Sequence, residues 1–438
     1  MMTIRILSGA AIGAMIAAAT PAVAAIPVPA TPAMTMPSLP ADAGVQRFYA
    51  SRQNAPLWFT AGRPSAAAME LISILQRAAI DGLSSGPQLA TQATIALQRA
   101  QSGNPADVVA ADKLLSGAWV LYAQALERPT GGLEYGDPYL APRQLSGDAI
   151  LTIAAAAPSL PDHIRDISHV NDIYASLRDA AWAEKQATGA VSQRLTANLD
   201  RARVLPGKGK FIIVNVADQR LTMYEQGKPV DSMKVIVGKP VSAKETPLLA
   251  SRISYATFNP YWHVPPEMTG RIIAANVLRL GDKYLVNRGY EVVSGYTDDA
   301  RVLSRDEVNW KDVQSGKQQV WVRQLPGPGN SMGKLKFQFP NKTGIYLHDS
   351  PEKELFHESK RYLSAGCIRL EDAKRLGAWL LQRDPTPPSD AAEQNVLLPK
   401  GVPVYVTYLT AQSDGSKVTY LDDAYGLDAN ASRLAAAN

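Results

Sequence analysis

Cysteine occurs once in this chain, at Cys367, and histidine only five times. A lone thiol has no internal partner, so an intramolecular disulfide and two-cysteine redox chemistry are excluded. A structural zinc site is disfavoured on the same count, because such sites draw on several Cys or His ligands. Aromatic residues make up 7% of the chain and charged residues 19%, with a net charge of +5. No Lys/Arg-rich run with interleaved aromatics is present, so nucleic acid is not an expected partner. The mild basic excess suits an anionic envelope polymer without selecting one.

Long apolar runs are missing too. The one candidate is the N-terminus, "MMTIRILSGAAIGAMIAAATPAVAA". Arg5 supplies a short positive region, an alanine-rich stretch follows, and Ala22-Val23-Ala24 has the small-x-small form of a cleavage site. The stretch is weakly hydrophobic and shorter than the roughly 20 residues a spanning helix needs. It reads as a cleavable signal peptide over residues 1–25, the alternative being an uncleaved anchor. The expected location is the periplasm, with no transmembrane span in the mature chain. Residues 26–41, "IPVPATPAMTMPSLP" and its flank, are proline-spaced and charge-free, which favours an extended linker.

Residues 42–205 read as helical. "SAAAMELISILQRAAIDGL" places Met69, Ile72, Leu75 and Ala79 at three- and four-residue steps between Ser65 as N-cap and Gly82 as stop. "ADKLLSGAWVLYAQALERPTGG" repeats the design with Leu115, Trp119, Tyr122 and Leu126 before Pro129. Such stripes point to helix–helix core. The texture changes at Pro206, where Phe211–Val216, Arg220–Tyr224 and Ser232–Val237 form β-branched runs split by the turn signals "ADQ" and "EQGKP". Further strands are expected in "SRISYATFN", "QVWVRQL", "KLKFQF", "GIYLH" and "VPVYVTYL", and one amphipathic helix in "EDAKRLGAWLLQR". The fold class is therefore α+β: a helical N-terminal domain, then a β-rich domain over 206–410 and a C-terminal tail, 411–438. Residues from about 269 to 316 break the strand rhythm and mix helix with loop, as a lid or a peripheral decoration would.

Cys367 lies in "SAGCIRL", downstream of "GIYLHDSPEKELFHESKRYL". A free thiol is mostly protonated at neutral pH and needs a base to act as a nucleophile. His348, at a strand end, and His357, in the following loop, are the nearby imidazoles; His357 reads as a solvated loop residue. Gly366-Cys367 offers backbone N–H groups for an oxyanion, with glycine permitting the turn. Arg369 is placed to hold a carboxylate through its fork, or to pair with Glu371 or Asp372. Residue chemistry alone leaves Cys367 open between a buried small hydrophobe and a thiol acyl-transfer site.

The stretch "IYLHDSP…SAGCIRLED" resembles the active-site signature of the L,D-transpeptidase catalytic (YkuD-type) family, a histidine followed after a loop by Ser/Thr-x-Gly-Cys-x-Arg. "FYASRQNAPLWF", "FIIVNVADQRLTMYEQGKPVDSMKVIVGKP", "FNPYWHVPP", "LPGPGNSMGKLKFQFPN" and "YLDDAYGLD" resemble the large periplasmic branch with an N-terminal helical scaffold domain. The resemblance implies a β-rich catalytic domain with a helical and loop lid insertion. It implies Cys367 as nucleophile, His348 as base, and Ser364, Gly366 and Cys367 as the turn, with the Gly366 and Cys367 amides as oxyanion donors. Arg369 would support the site or bind substrate, and Tyr346 and Trp262 would line the cleft unless they serve as core. The implied partners are peptidoglycan tetrapeptide stems, donor and acceptor, with D-alanine released through a Cys367 thioester and no metal or cofactor needed. Other cell-wall synthesis proteins or an outer-membrane protein acceptor are further implied partners, and acylation of Cys367 by a carbapenem is implied as well. Two departures stand out. Position 365 is Ala where many members carry His, and "DIYASLRDAAWAEKQATGAVSQRLTANLDRARVLPG" leaves no room for the peptidoglycan-binding module that the branch often carries. A peptidoglycan hydrolase using the same thiol and a non-catalytic wall-binding scaffold are the competing readings.

Overall fold

The computed structural model describes residues 42–128, 132–297, 299–415 and 417–429. The expected signal peptide and proline-rich linker lie outside the described residues, as does Pro129. The N-terminal part is built on eight helices: α1 (Ala43–Ser51), α2 (Ala66–Arg77), α3 (Gly86–Ala100), α4 (Pro105–Leu126), α5 (Gly147–Ala156), α6 (Leu160–His169), α7 (Asp172–Thr188) and α8 (Gln193–Arg203). In α4, Asn104 caps the first turn by accepting the Ala106 N–H, and the expected stripe of Leu115, Trp119, Tyr122 and Leu126 is buried. In α2 the stripe sits elsewhere than the sequence suggests. Met69 is 58% exposed, and Ala68, Leu71, Ile72 and Leu75 form the buried face. The small alanine lets neighbouring helices approach, so it takes the core position from the larger methionine. Two buried carboxylates cross-brace the bundle. Asp81 accepts from Tyr122 and Tyr174 at 3.0 and 2.7 Å, with Arg178 at 3.9 Å, while Asp112 accepts from the Leu57 and Trp58 backbones.

From Phe211 onward nine strands, joined by Glu134–Tyr135 from the helical half, form a ten-stranded sheet that closes on itself. Its ring consists of β1 (Phe211–Asn215), β2 (Arg220–Glu225), β3 (Lys228–Gly238), β4 (Leu249–Phe258), β5 (Leu335–Phe337), β6 (Leu347–His348), β7 (Ile368–Leu370) and β8 (Gln394–Thr407). The order around the ring is β5-β6-β7-β3-β2-β1-β8-β4 and back to β5. Only β6 with β7 and β8 with β1 run parallel. The run "FIIV" is continuous rather than alternating because β1 is buried on both faces. Ile212 and Val214 point into the barrel core, whereas Phe211 and Ile213 pack with the helices. Val404 and Val406 face the barrel core from β8, and Tyr405 and Leu409 face the helical core. The two halves therefore share one apolar seam, reinforced where Glu134–Tyr135 adds to β4 as a short parallel strand.

Between β4 and β5 the chain leaves the barrel for a small subdomain. Its three-stranded sheet joins Trp262–Val264, Trp321–Gln324 and Tyr290–Val293, and its own apolar cluster contains Val264, Ile273, Val277, Val292 and Val322. The strand in "QVWVRQL" thus belongs to this insertion and not to the barrel, because Val322 buries into the insertion's core. The insertion is accordingly wider than residues 269–316. The described residues of the C-terminal segment pack back on the domain: Ala411–Ser413 pairs with Val418–Tyr420, and Asp428 accepts from Arg201 at 2.7 Å and Arg194 at 3.0 Å on α8. No helix among the described residues is long and apolar enough to cross a membrane.

Candidate active site

Two adjacent parallel strands bring the thiol and the imidazole to one end of the barrel. In β6 and β7, Leu347 stands opposite Ile368 and His348 opposite Arg369, and the Ile368 N–H bonds the Tyr346 carbonyl. A parallel pair needs a crossover of a dozen or more residues, and Asp349 to Gly366 supply it. The gap between His348 and Cys367 in the sequence is the length of that crossover. Lys353 stitches it back, donating to Asp349 at 2.7 Å and to the Glu371 carbonyl at 2.8 Å.

The turn carrying Cys367 is held from both sides. Ser364 Oγ donates to the Cys367 carbonyl at 2.6 Å and accepts the Gly366 N–H at 3.1 Å. Gly366 has φ of +123°, a conformation that L side chains rarely adopt. Behind the turn, Thr246 Oγ1 donates to the Gly366 carbonyl and accepts the Gly238 N–H, both at 2.8 Å. Gly238 must be glycine, since a Cβ there would come within 2.0 Å of the Lys244 carbonyl. Tyr425 closes the stack by donating to the Gly238 carbonyl at 2.6 Å and accepting the Thr246 N–H. Of the two amides expected as oxyanion donors, that of Gly366 is engaged by Ser364, which leaves the Cys367 N–H for that role.

His348 is buried, and its Nδ1 lies 2.6 Å from the Asp349 carbonyl. A carbonyl only accepts, so Nδ1 carries the proton and Nε2 is left as a lone-pair base. Asp349 is itself fixed, by its N–H on the Leu335 carbonyl and its carboxylate on the Lys334 N–H and Lys353. Burial, aided by the Arg369 charge, pushes the His348 pKa down to about 3. Burial pushes the half-buried Cys367 thiol up, opposed by hydrogen bonds from the Tyr346 backbone and hydroxyl and by the Arg369 and Lys336 charges. The resting pair is therefore neutral thiol and neutral imidazole. Among the described residues the thiol's hydrogen-bond partner is Tyr346, and no bond joins it directly to the His348 ring.

The remaining expected residues are distributed as follows. Tyr346 lies against the site, its ring 5.7 Å from that of His348. Arg369 pairs with Glu352 at 2.5 Å, not with Glu371 or Asp372. His357 is exposed. Trp262 packs against the insertion's core, 6.3 Å from the Tyr290 ring. Strand alternation turns its neighbour His263 the other way, to stack with Tyr296 at 4.5 Å beside Glu393 and Lys336. Tyr296 comes from the insertion, donates to the Val264 and Val322 carbonyls, and bears on Tyr346.

With this geometry in hand, comparison with known proteins is direct. An L,D-transpeptidase catalytic domain matches residues 209–406, and a scaffold domain matches residues 43–180. The chain carries an L,D-transpeptidase catalytic domain behind an N-terminal scaffold domain. A Haemophilus influenzae protein whose name assigns it provisionally to the L,D-transpeptidases is 27% identical over 397 residues, 88% of this chain and 78% of that one. A solved L,D-transpeptidase from Mycobacterium smegmatis is 13% identical, covers 46% of this chain and 59% of its own, and superposes with a TM-score of 0.23. One from Xylanimonas cellulosilytica is 16% identical over 52% of this chain and 78% of its own, with a TM-score of 0.18. An L,D-transpeptidase catalytic domain implies peptidoglycan as the substrate class. Within this L,D-transpeptidase domain, Lys336, Glu393, His263 and Tyr296 escaped sequence reasoning. The alternation in "YWHVP" was the one available signal, and it pointed equally to either face.

Proposed function

We propose that this L,D-transpeptidase forms peptidoglycan peptide cross-links through a Cys367 thioester. The observation that carries the reading is the His348 tautomer: with Nδ1 held by the Asp349 carbonyl, Nε2 is free to take a proton at the strand end beside Cys367. His348 removes the thiol proton as Sγ attacks the carbonyl of the L-centre residue in a tetrapeptide stem. The C–N bond to the terminal D-alanine breaks, and the imidazolium returns its proton to the leaving amine. A side-chain amine of a second stem then attacks the thioester, gives its proton to His348, and regenerates the thiol. The Cys367 N–H serves the oxyanion, and Arg369 receives substrate carboxylate in competition with Glu352.

Tyr296 and His263 of the insertion stack at 4.5 Å, and Tyr296 acts electrostatically on Tyr346; an acceptor bound there in place of water would favour transfer over hydrolysis. The site of action is the periplasm, where the N-terminal segment read as a signal peptide would deliver the chain. Cell-wall synthesis proteins or an outer-membrane acceptor are further candidates for partners. The test is mass spectrometry of a defined disaccharide-tetrapeptide incubated with the protein and with Cys367→Ala. A dimer lacking one D-alanine, absent with the variant, is expected. Loss of D-alanine without dimer would make the protein a hydrolase, and no product together with no carbapenem adduct would leave a binding scaffold.

A further inference from the structure

One buried charge near the thiol has no part in that reaction. Lys336 sits in the middle of β5 between Leu335 and Phe337, which face the barrel core, and is itself only 6% exposed. Across the antiparallel ladder it stands opposite His348 on one side and Thr257 on the other. Its ammonium lies 5.6 Å from the centroid of the Tyr346 ring, whose hydroxyl bonds the thiol, and 3.1 Å from Glu393 Oε1. A lysine is rarely kept this far from water unless it is paired.

Glu393 is placed by a contorted stretch of chain. Its φ is +54°, its N–H bonds the Asn259 carbonyl, and its second oxygen accepts the Tyr261 N–H at 2.7 Å. A non-glycine residue in this region is strained and persists where the surroundings require it. What is required here is a carboxylate delivered to one buried ammonium. The charged and titratable groups around the thiol are Tyr346 just before β6, His348 at its end, Arg369 on β7 and Lys336 on β5; Tyr346 in turn faces Glu393 and Tyr296. Arg369 has its own carboxylate in Glu352, which is half exposed and screened by solvent. Lys336 is the buried cation of the set.

We propose that Lys336 and Glu393 form a positioning pair that sets how readily Cys367 yields a thiolate, Lys336 promoting ionisation and Glu393 restraining it. This deepens the transpeptidase reading and rests on it for its purpose. The cation favours the thiolate by direct attraction through a site of low dielectric, and it resists a second positive charge on His348. The proton that His348 takes is thereby held weakly and passed on to the leaving amine. Glu393 offsets part of this influence while it stays paired.

Because Cys367 is the only cysteine, its alkylation by iodoacetamide reports thiolate without ambiguity. The full chain is assayed from pH 6 to 10 as wild type, Lys336→Met, Lys336→Arg and Glu393→Gln, with thermal melting to show that each is folded. Lys336→Met should move the profile up by about one pH unit, a rate about tenfold lower at neutral pH. Lys336→Arg should follow wild type, and Glu393→Gln should move the profile the opposite way, to lower pH. Opposite signs for the two charge removals are what a merely structural role would not produce. Equal signs, or no movement in any variant, would overturn the proposal. If Lys336→Met does not fold, the direction of the Glu393→Gln shift decides. The alkylation assay needs no peptidoglycan, so a chain that shows these shifts yet makes no dimer would sink the transpeptidase reading alone.

Discussion

Cys367 owes its setting to two small neighbours. Ser364 ties both ends of the turn with one hydroxyl, and Gly366 adopts a backbone shape closed to other residues. Ser364→Ala should lower kcat/KM about 10- to 100-fold by loosening the nucleophile's placement, while Ser364→Thr, which keeps the hydroxyl, restores much of it. Gly366→Ala meets ordinary contacts, the nearest at 3.6 Å, so its cost is conformational, about 1–3 kcal/mol by denaturant melts. His348 makes a separate prediction. Its pKa falls on folding from 6.5 to about 3, so between those values the unfolded chain binds the extra proton and stability rises with pH. Acidification below about pH 6.5 should therefore destabilise the protein, and His348→Gln should flatten that fall in a Tm-against-pH series.

At the scale of elements, β1 and α7 show how the two halves depend on each other. Phe211 leaves the barrel face of β1 to pack with the helices and stacks on Tyr224 at 4.7 Å. Phe211→Ala should cost about 3–5 kcal/mol. Arg178 on α7 and Asp81 after α2 form a buried ion pair braced by two tyrosine hydroxyls. Asp81→Ala strands a buried guanidinium and should cost about 3–5 kcal/mol. Calorimetry of both variants checks these values, and neither should alter the alkylation profile of Cys367.

Over the whole molecule the seam between helices and barrel predicts one cooperative unfolding transition, because Phe211, Ile213, Ala250, Tyr405 and Leu409 belong to the same apolar cluster as the helical core. A scaffold joined by a free linker would give two. The C-terminal segment extends this dependence to the site. Asp428 anchors it on α8, and Tyr425 reaches Gly238 and Thr246, of which Thr246 holds the Gly366 carbonyl. Truncation after Leu409 should lower both Tm and kcat, although Cys367 and His348 are untouched.

The amino-acid pattern alone determined a good deal here. Helical stripes in α4, the meander from β1 to β3 and the helix at Ala373–Leu381 were legible because period and turn chemistry are local. The set of ordered motifs around His348 and Cys367 was enough to indicate the family. Other features depend on contacts between residues distant in sequence. Which face of α2 is buried, whether Trp262 or His263 turns toward the site, and the placement of Lys336 beside Glu393 depend on what packs against each strand. Alternation defines two faces but does not say which one meets the partner. Closure of the sheet through β4 and β5, and the shared seam that makes helices and barrel one cooperative body, likewise exist only once the chain has folded.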